Sequence, residues 1–311
     1  MGDRLKIQAP GAWEQWAERR LPFIGDPERP QRLQDATRLV SPSGRTKRLW
    51  LPSGHIIHHP VAGGSRLFDD ASTHSLDNTA SAPVAVAPLT LAGWFNSDSL
   101  TLDQQIVQLQ DKDVGNDRWW IQLSGNIAGD FVQFYSQDGT ASPATTSLAY
   151  STDTWQHACG VEIASNSRVA YLDGGNSGTE TTLRTPDNID SISIGRAGDS
   201  TPNNHFSGML AEIAVWDVAL AAGDVVQLAD GFSPLFVRPE SLVFYCPIIG
   251  SFSPEIDLIG GRNMTVTGAT KAAHPRVFYP ALTQRFEFGA AAPPTTALVD
   301  MIGRGVVPFA R

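Results

Sequence analysis

The chain has 311 residues and a mass of 33.5 kDa, enough for one large domain or two of about 150 residues each. Hydrophobic residues make up 41% and charged residues 18%, which excludes a disordered chain and leaves the surface to Ser, Thr, Asn, Gln and Gly. The net charge of −9 divides unevenly: residues 1–66 hold eleven Lys or Arg against six Asp or Glu, a net +5, and the remainder nets −14.

No apolar run approaches the roughly eighteen residues of a transmembrane helix. Met1 to Arg20 lacks the apolar stretch of a secretory signal, so synthesis and use from the cytosol are expected. Cys159 and Cys246 stand in apolar stretches without CxxC spacing, which points to two buried free thiols rather than a zinc or redox motif.

Residues 1–65 read as an extended basic arm. One short helix is expected near residues 12–21, where Trp13, Trp16, Ala17 and Leu21 share a face and Pro22 stops it. A helix this short needs a surface to dock on, and the prolines that follow keep the chain extended. Residues 66–279 have the texture of an all-β domain, short alternating runs parted by Gly, Asn, Asp and Ser. Strands are expected over 89–95, 105–110, 119–123, 131–135, 156–163, 168–172, 191–194 and 208–216. A helix follows over 221–229, with Gly231 placed to end it. Residues 242–245 and 264–268 read as further strands. Residues 280–311, apolar without period, read as a second extended arm.

Several of these runs form a family pattern. Trp155-Gln156-His157-Ala158 with Val169-Ala170-Tyr171-Leu172-Asp173-Gly174 resembles the paired-strand signature of laminin-G-like and pentraxin-like jelly rolls in the concanavalin A-like lectin and glucanase superfamily. Leu91-Ala92-Gly93-Trp94-Phe95, Ile192-Ser193-Ile194-Gly195, Phe206 through Trp216, and Ala219 through Gly231 resemble four more signatures in the right order, so the signature core spans 89–232. The fold implied is a concanavalin A-like, LamG-like antiparallel β-sandwich jelly roll carrying the two arms. A Trp opening a central strand would fill the sandwich, and Asp173-Gly174 would turn a hairpin through positive φ.

The glucanases of this superfamily carry Glu-x-Asp-x-x-Glu on their active strand, two carboxylates at the spacing of retaining hydrolysis. Glu255-Ile256-Asp257 begins that way, but Gly260 stands where the second Glu belongs. No catalytic residue is assigned. His55, His58 and His59 lie in a Pro/Gly-flanked arm and read as solvated or interface histidines rather than metal ligands. His157 reads as structural. Related jelly rolls bind calcium through loop oxygens, and Asp69, Asp70, Asp111, Asp113, Asp117, Asp173 and Asn176 are the candidates, although none matches a defined calcium loop. Sugar binding needs an exposed aromatic platform. Trp94, Trp155 and Trp216 occupy core signature positions, whereas adjacent Trp119 and Trp120 must point to opposite faces, one of them outward.

The arm's charges are interleaved with Pro and acids, and the acidic body opposes a polyanion, so neither nucleic acid nor a membrane is an expected partner. The arm suits an acidic protein surface, including a neighbouring copy, with Trp13, Trp16, Arg19, Arg20, Arg45, Lys47, Arg48 and Phe309 as interface residues. Two functions are expected. A jelly-roll body with two arms resembles the LamG-like structural proteins of tailed bacteriophages, and that resemblance implies a non-enzymatic virion structural protein, a phage capsid decoration or cementing protein made in the host cytoplasm. The other is a lectin-like adhesion module of a phage tail or baseplate that binds glycans.

Overall fold

The structure, a computed structural model, describes residues 64–279. The expected helix near 12–21, residues 1–63 of the expected N-terminal arm, the C-terminal arm, the three arm histidines and all eight interface residues lie outside that range.

Fifteen strands and one α-helix follow in order. They are β1 (Ser65–Phe68), β2 (Ser75–Asn78), β3 (Leu89–Ser97), β4 (Asp103–Gln110), β5 (Asp117–Ser124), β6 (Phe131–Asp138), β7 (Thr140–Ala149), β8 (Gln156–Ala164), β9 (Ser167–Leu172), β10 (Gly175–Glu180), β11 (Ser191–Ile194) and β12 (Gly208–Trp216). Helix α1 (Ala222–Ala229), β13 (Leu242–Cys246), β14 (Thr265–Thr267) and β15 (Thr270–Ala272) complete the set. The eight-stranded sheet runs β10-β9-β8-β3-β12-β1-β15, with β13 also paired to β12. The seven-stranded sheet runs β14-β2-β11-β4-β5-β6-β7. Every pairing between these strands is antiparallel, and the sheets stack as the expected all-β sandwich.

Period-two alternation explains which residues meet between the sheets. Leu89, Leu91 and Phe95 of β3, Trp119, Ile121 and Leu123 of β5, and Val132 and Phe134 of β6 all enter the inter-sheet core. Packing there is tight enough that Gly160 admits no side chain, because an added Cβ would fall 2.2 Å from the Phe134 ring. The hairpin between β9 and β10 turns at Asp173 and Gly174, with φ of 52° and 75°, the backbone that Asp-Gly favours.

A second core covers the outer face of the eight-stranded sheet. Ala92, Cys159, Val161, Ala214 and Trp216 point out of that sheet and meet Val225 and Leu228 of α1 together with Leu235, Leu242 and Leu258. Gly231, at φ 88°, ends the helix with its N–H on the Leu228 carbonyl at 2.9 Å.

This packing corrects the reading of the signature tryptophans. Trp216 is fully buried, but in this outer core, where its Nε1–H donates to the Val237 carbonyl at 2.8 Å. Trp94 and Trp155 are half-buried rather than core residues.

Candidate functional site

The outer face of the seven-stranded sheet carries the residues that alternate with the core positions. Sending Trp119, Ile121 and Leu123 inward turns Arg118, Trp120, Gln122 and Ser124 outward, and in β6 the same parity turns Gln133, Tyr135 and Gln137 to the outer face. Strand register then aligns them across the sheet. Gln108, Trp120, Tyr135 and Pro143 form one row, Gln110, Arg118 and Gln137 the row beside it, and Gln105, Gln122, Gln133 and Thr145 the row on the other side.

The middle row is an aromatic stack. The Tyr135 ring lies parallel to the Trp120 indole, 4.3 Å between centroids and 1° between planes, and the Arg118 guanidinium sits 4.5 Å from the same indole. A hydrogen-bond chain holds the neighbours. Trp120 Nε1–H donates to Gln122 Oε1 at 3.0 Å, Gln122 Nε2 to Ser124 Oγ at 3.3 Å, and the Ser124 hydroxyl to Gln133 Oε1. Tyr135 OH donates to the same Gln133 oxygen at 2.6 Å, while Gln133 Nε2 donates to Thr145 Oγ1 at 2.9 Å. Burial raises the Tyr135 phenol above its ordinary range, so its hydroxyl stays protonated and donates its hydrogen bond to Gln133 at neutral pH.

The segment 195–207 walls one side of this face. Arg196 pairs with Asp77 at 3.0 Å, Gly198 sits against Ser193 and Gln110, Asp199 accepts from Arg118 Nη1 at 2.6 Å, and the Asn204 carbonyl takes the Gln105 N–H at 3.0 Å. The acids on this side are therefore held by arginines. Gln108 lies beneath, fully buried, with neither amide atom bonded to protein, and Oε1 of Gln105 and of Gln110 is likewise unpartnered. Such amides retain hydrogen-bonding capacity for water or ligand. Planar rings beside amides and hydroxyls suit a neutral, polyhydroxylated ligand better than they suit acid–base chemistry.

Of the expected tryptophan pair, Trp119 does turn inward and Trp120 outward. Neither is exposed, however: relative exposures are 2% and 4%, because Tyr135, Arg118 and Gln122 close over Trp120. Arg118, Tyr135, Pro143 and Thr145 are half-buried positions of this face.

The calcium candidates are not brought together as one ligand set. Asp69 caps its own turn through Ala71 N–H and Ser72 Oγ. Asp173 accepts from His157 N–H and Gln156, Asn176 donates to the Leu172 carbonyl, and Asp117 accepts from Asp187 N–H at 3.3 Å. Only Asp111 and Asp113 converge, together with Asp190, their oxygens within 4.8 Å of one another. The Lys112 ammonium already occupies that cluster, bonded to Asp190 and 3.3 Å from Asp113. A cation would have to displace it, so these residues do not fit a calcium site.

The carboxylates that begin like a glucanase strand have structural partners. Glu255 is buried against Arg66 Nε at 2.7 Å. Asp257 accepts the N–H groups of Tyr245, Ile259, Gly260 and Arg262. His157 is buried beside Trp94, and desolvation drives its pKa down to about 3. Cys159 and Cys246 are buried free thiols, and burial pushes both upward.

The family model of the concanavalin A-like lectin/glucanases superfamily matches residues 70–226, half of the chain. Among solved structures, a candidate carbohydrate binding protein from Bacteroides ovatus aligns with a TM-score of 0.52 and 20% identity over 70% of this chain. The chain spans 62% of that protein's length. A heptameric SAP-like pentraxin from Limulus polyphemus aligns with a TM-score of 0.43 and 16% identity, over 54% of this chain and 80% of its own. Domain 4 of a GH43 extracellular arabinanase from Geobacillus stearothermophilus, solved with arabinotriose, aligns with a TM-score of 0.41 and 18% identity, over 54% and 82%. No curated protein matches the chain.

Proposed function

The chain belongs to the concanavalin A-like lectin/glucanases superfamily, and from this we propose that it is a non-catalytic, lectin-like module that binds a glycan on the outer face of its seven-stranded sheet. The observation that carries the reading is the Trp120–Tyr135 stack set among Gln108, Gln122, Gln133 and Thr145. Aromatic faces take the C–H face of a pyranose ring, and amides and hydroxyls match its hydroxyls as both donors and acceptors. The similarity to the Bacteroides ovatus protein agrees with this choice. A glycan array probed with the full chain and with Tyr135→Ala tests it. Selective retention of one glycan class, lost in the variant while the fold persists, is the expected result; no retention by the full chain overturns the reading.

The division of charge favours a second role beside the first. A +5 segment on a −14 body suits assembly on an acidic neighbour, and the finer form of that reading is a decoration or cementing protein of a phage capsid, located in the virion. Deleting residues 1–60 should abolish association with acidic subunits and leave glycan binding intact. Full association of the truncated chain would contradict it.

A further inference from the structure

A cleft of about 420 Å³ opens where the segment entering β3, the end of β8 and the segment entering β11 come together. Val86 and Pro88 stand on one side, Ile163 and Ala164 on the second, Arg184 and Pro186 on the third. The size is that of a small-molecule pocket, mostly apolar with a few placed polar groups.

Its walls leave apolar side chains in water. Val86 is 70% exposed and Ile163 48%, and Leu183, next to Arg184 in the chain, is 59% exposed. Exposed apolar groups beside a cavity mark an interaction site. Two of the walls are also tied together in advance. The Arg184 N–H donates to the Ser165 carbonyl at 2.7 Å, and the buried Arg168 donates Nη2 to the same carbonyl at 3.1 Å. A ligand therefore meets a preformed cleft and has little chain to order.

Among the described residues that line the cleft, Arg184 is the single charged one. Its Nε donates to Ser142 Oγ at 3.0 Å and its Nη1 to the Leu183 carbonyl at 3.1 Å, which fixes the guanidinium plane, while Nη2 has no partner among the described residues. Asp138 is the nearest counter-charge, but at 3.5 Å and partly exposed it is a loose one. That carboxylate is held instead by Thr185, which donates its N–H at 2.9 Å and its hydroxyl at 3.4 Å. Asp187, one residue beyond Pro186, is exposed and accepts from Asn188 Nδ2, so water and salt screen it. A fixed guanidinium with donors to spare selects a carboxylate, and the apolar walls select the body attached to it.

We propose that this cleft binds a small amphiphilic carboxylate, with its apolar body on Val86, Ile163 and Pro186 and its charged end on Arg184 Nη2. The site is separate from the sheet face proposed for glycans and does not rest on that reading.

Hexanoate is the probe, with hexanamide as its neutral counterpart, each titrated into the full chain while the Val86 and Ile163 methyl resonances are followed. Saturable shifts of both residues are expected, at an affinity about tenfold weaker for hexanamide. Arg184→Gln should weaken hexanoate binding by about tenfold and leave hexanamide binding unchanged. Ile163→Asp, at an exposed position of the mouth, keeps the fold and should abolish the Val86 response to hexanoate. An N-acetylated dipeptide ending in a leucine carboxylate separates the two sources of such a group: binding tighter than hexanoate assigns the cleft to peptide C-termini, weaker binding to free acids. Unmoved methyl resonances, equal affinity for hexanamide, or an unchanged hexanoate affinity in either folded variant would each overturn the proposal.

Discussion

The two sheets of this sandwich treat their outer faces in opposite ways. The eight-stranded sheet points Ala92, Cys159, Val161, Ala214 and Trp216 outward and seals them under α1 and the segment that follows it. The seven-stranded sheet points Gln108, Trp120, Gln122, Gln133 and Tyr135 outward and links all but Gln108 through a side-chain hydrogen-bond chain. One face removes apolar area from water and so stabilises the fold. The other orders amides, hydroxyls and rings at little gain in stability, which is the arrangement a binding face needs. Comparing the two separates residues that hold the molecule together from residues available for recognition.

That contrast breaks most sharply at His157, whose ring is buried on the sealed side. Desolvation holds its folded pKa at about 3, below the 6.5 of an imidazole in water. The folded state therefore binds fewer protons than the unfolded chain, and stability should fall as pH drops from about 6.5 toward 3, by up to about 5 kcal/mol over the whole window. His157→Phe keeps a ring against Trp94 and should flatten this loss in urea titrations run at several pH values. An unchanged acid limb would show that His157 is solvated.

Trp216→Ala should cost about 3–5 kcal/mol by emptying the centre of the outer core, read as a lower urea midpoint, with the glycan face unaffected if the two faces are independent. Glu162 sharpens the comparison from inside the sandwich. Burial raises its carboxyl to about 7 against the pull of Arg168, so its contribution is full below about pH 4.5 and is lost as pH rises through 7. The total is about 3 kcal/mol. Glu162→Gln should remove that slope; a slope retained in the variant would assign it elsewhere. The smallest stability change is expected for Tyr135→Ala, about 1 kcal/mol or less from a half-buried ring, together with a loss of glycan affinity of about tenfold or more. A variant that lost stability but not binding would reverse the assignment of the faces.

The fold was legible wherever strands carry strong alternation. Ser191–Ile194 and Gly208–Trp216 begin and end where the pattern places them, and the expected helix begins one residue later, at Ala222. Strands without that pattern escaped. β7, Thr140–Ala149, is an edge strand of small residues with Pro143 in it, tolerated because one side has no partner strand. β10, Gly175–Glu180, holds two glycines and no large apolar residue, and lies at the edge of the other sheet.

The site was less legible than the fold. Adjacent Trp119 and Trp120 signalled opposite faces, but Gln108, Gln122, Gln133 and Gln137 resemble the polar residues of any exposed strand. Only register sets them side by side, and register depends on pairings between segments as far apart as β4 and β7. The calcium candidates came from the family resemblance and not from a defined loop, and the fold brings only Asp111 and Asp113 of them together.

We assign ligand recognition to the outer face of the seven-stranded sheet. Side-chain amide resonances of the full chain, followed during titration with an oligosaccharide retained on the array, report on that face residue by residue. Gln122, Gln133 and the Trp120 indole should shift together and saturate at one affinity. Shifts confined to α1 and the sealed face, with these three unmoved, would contradict it.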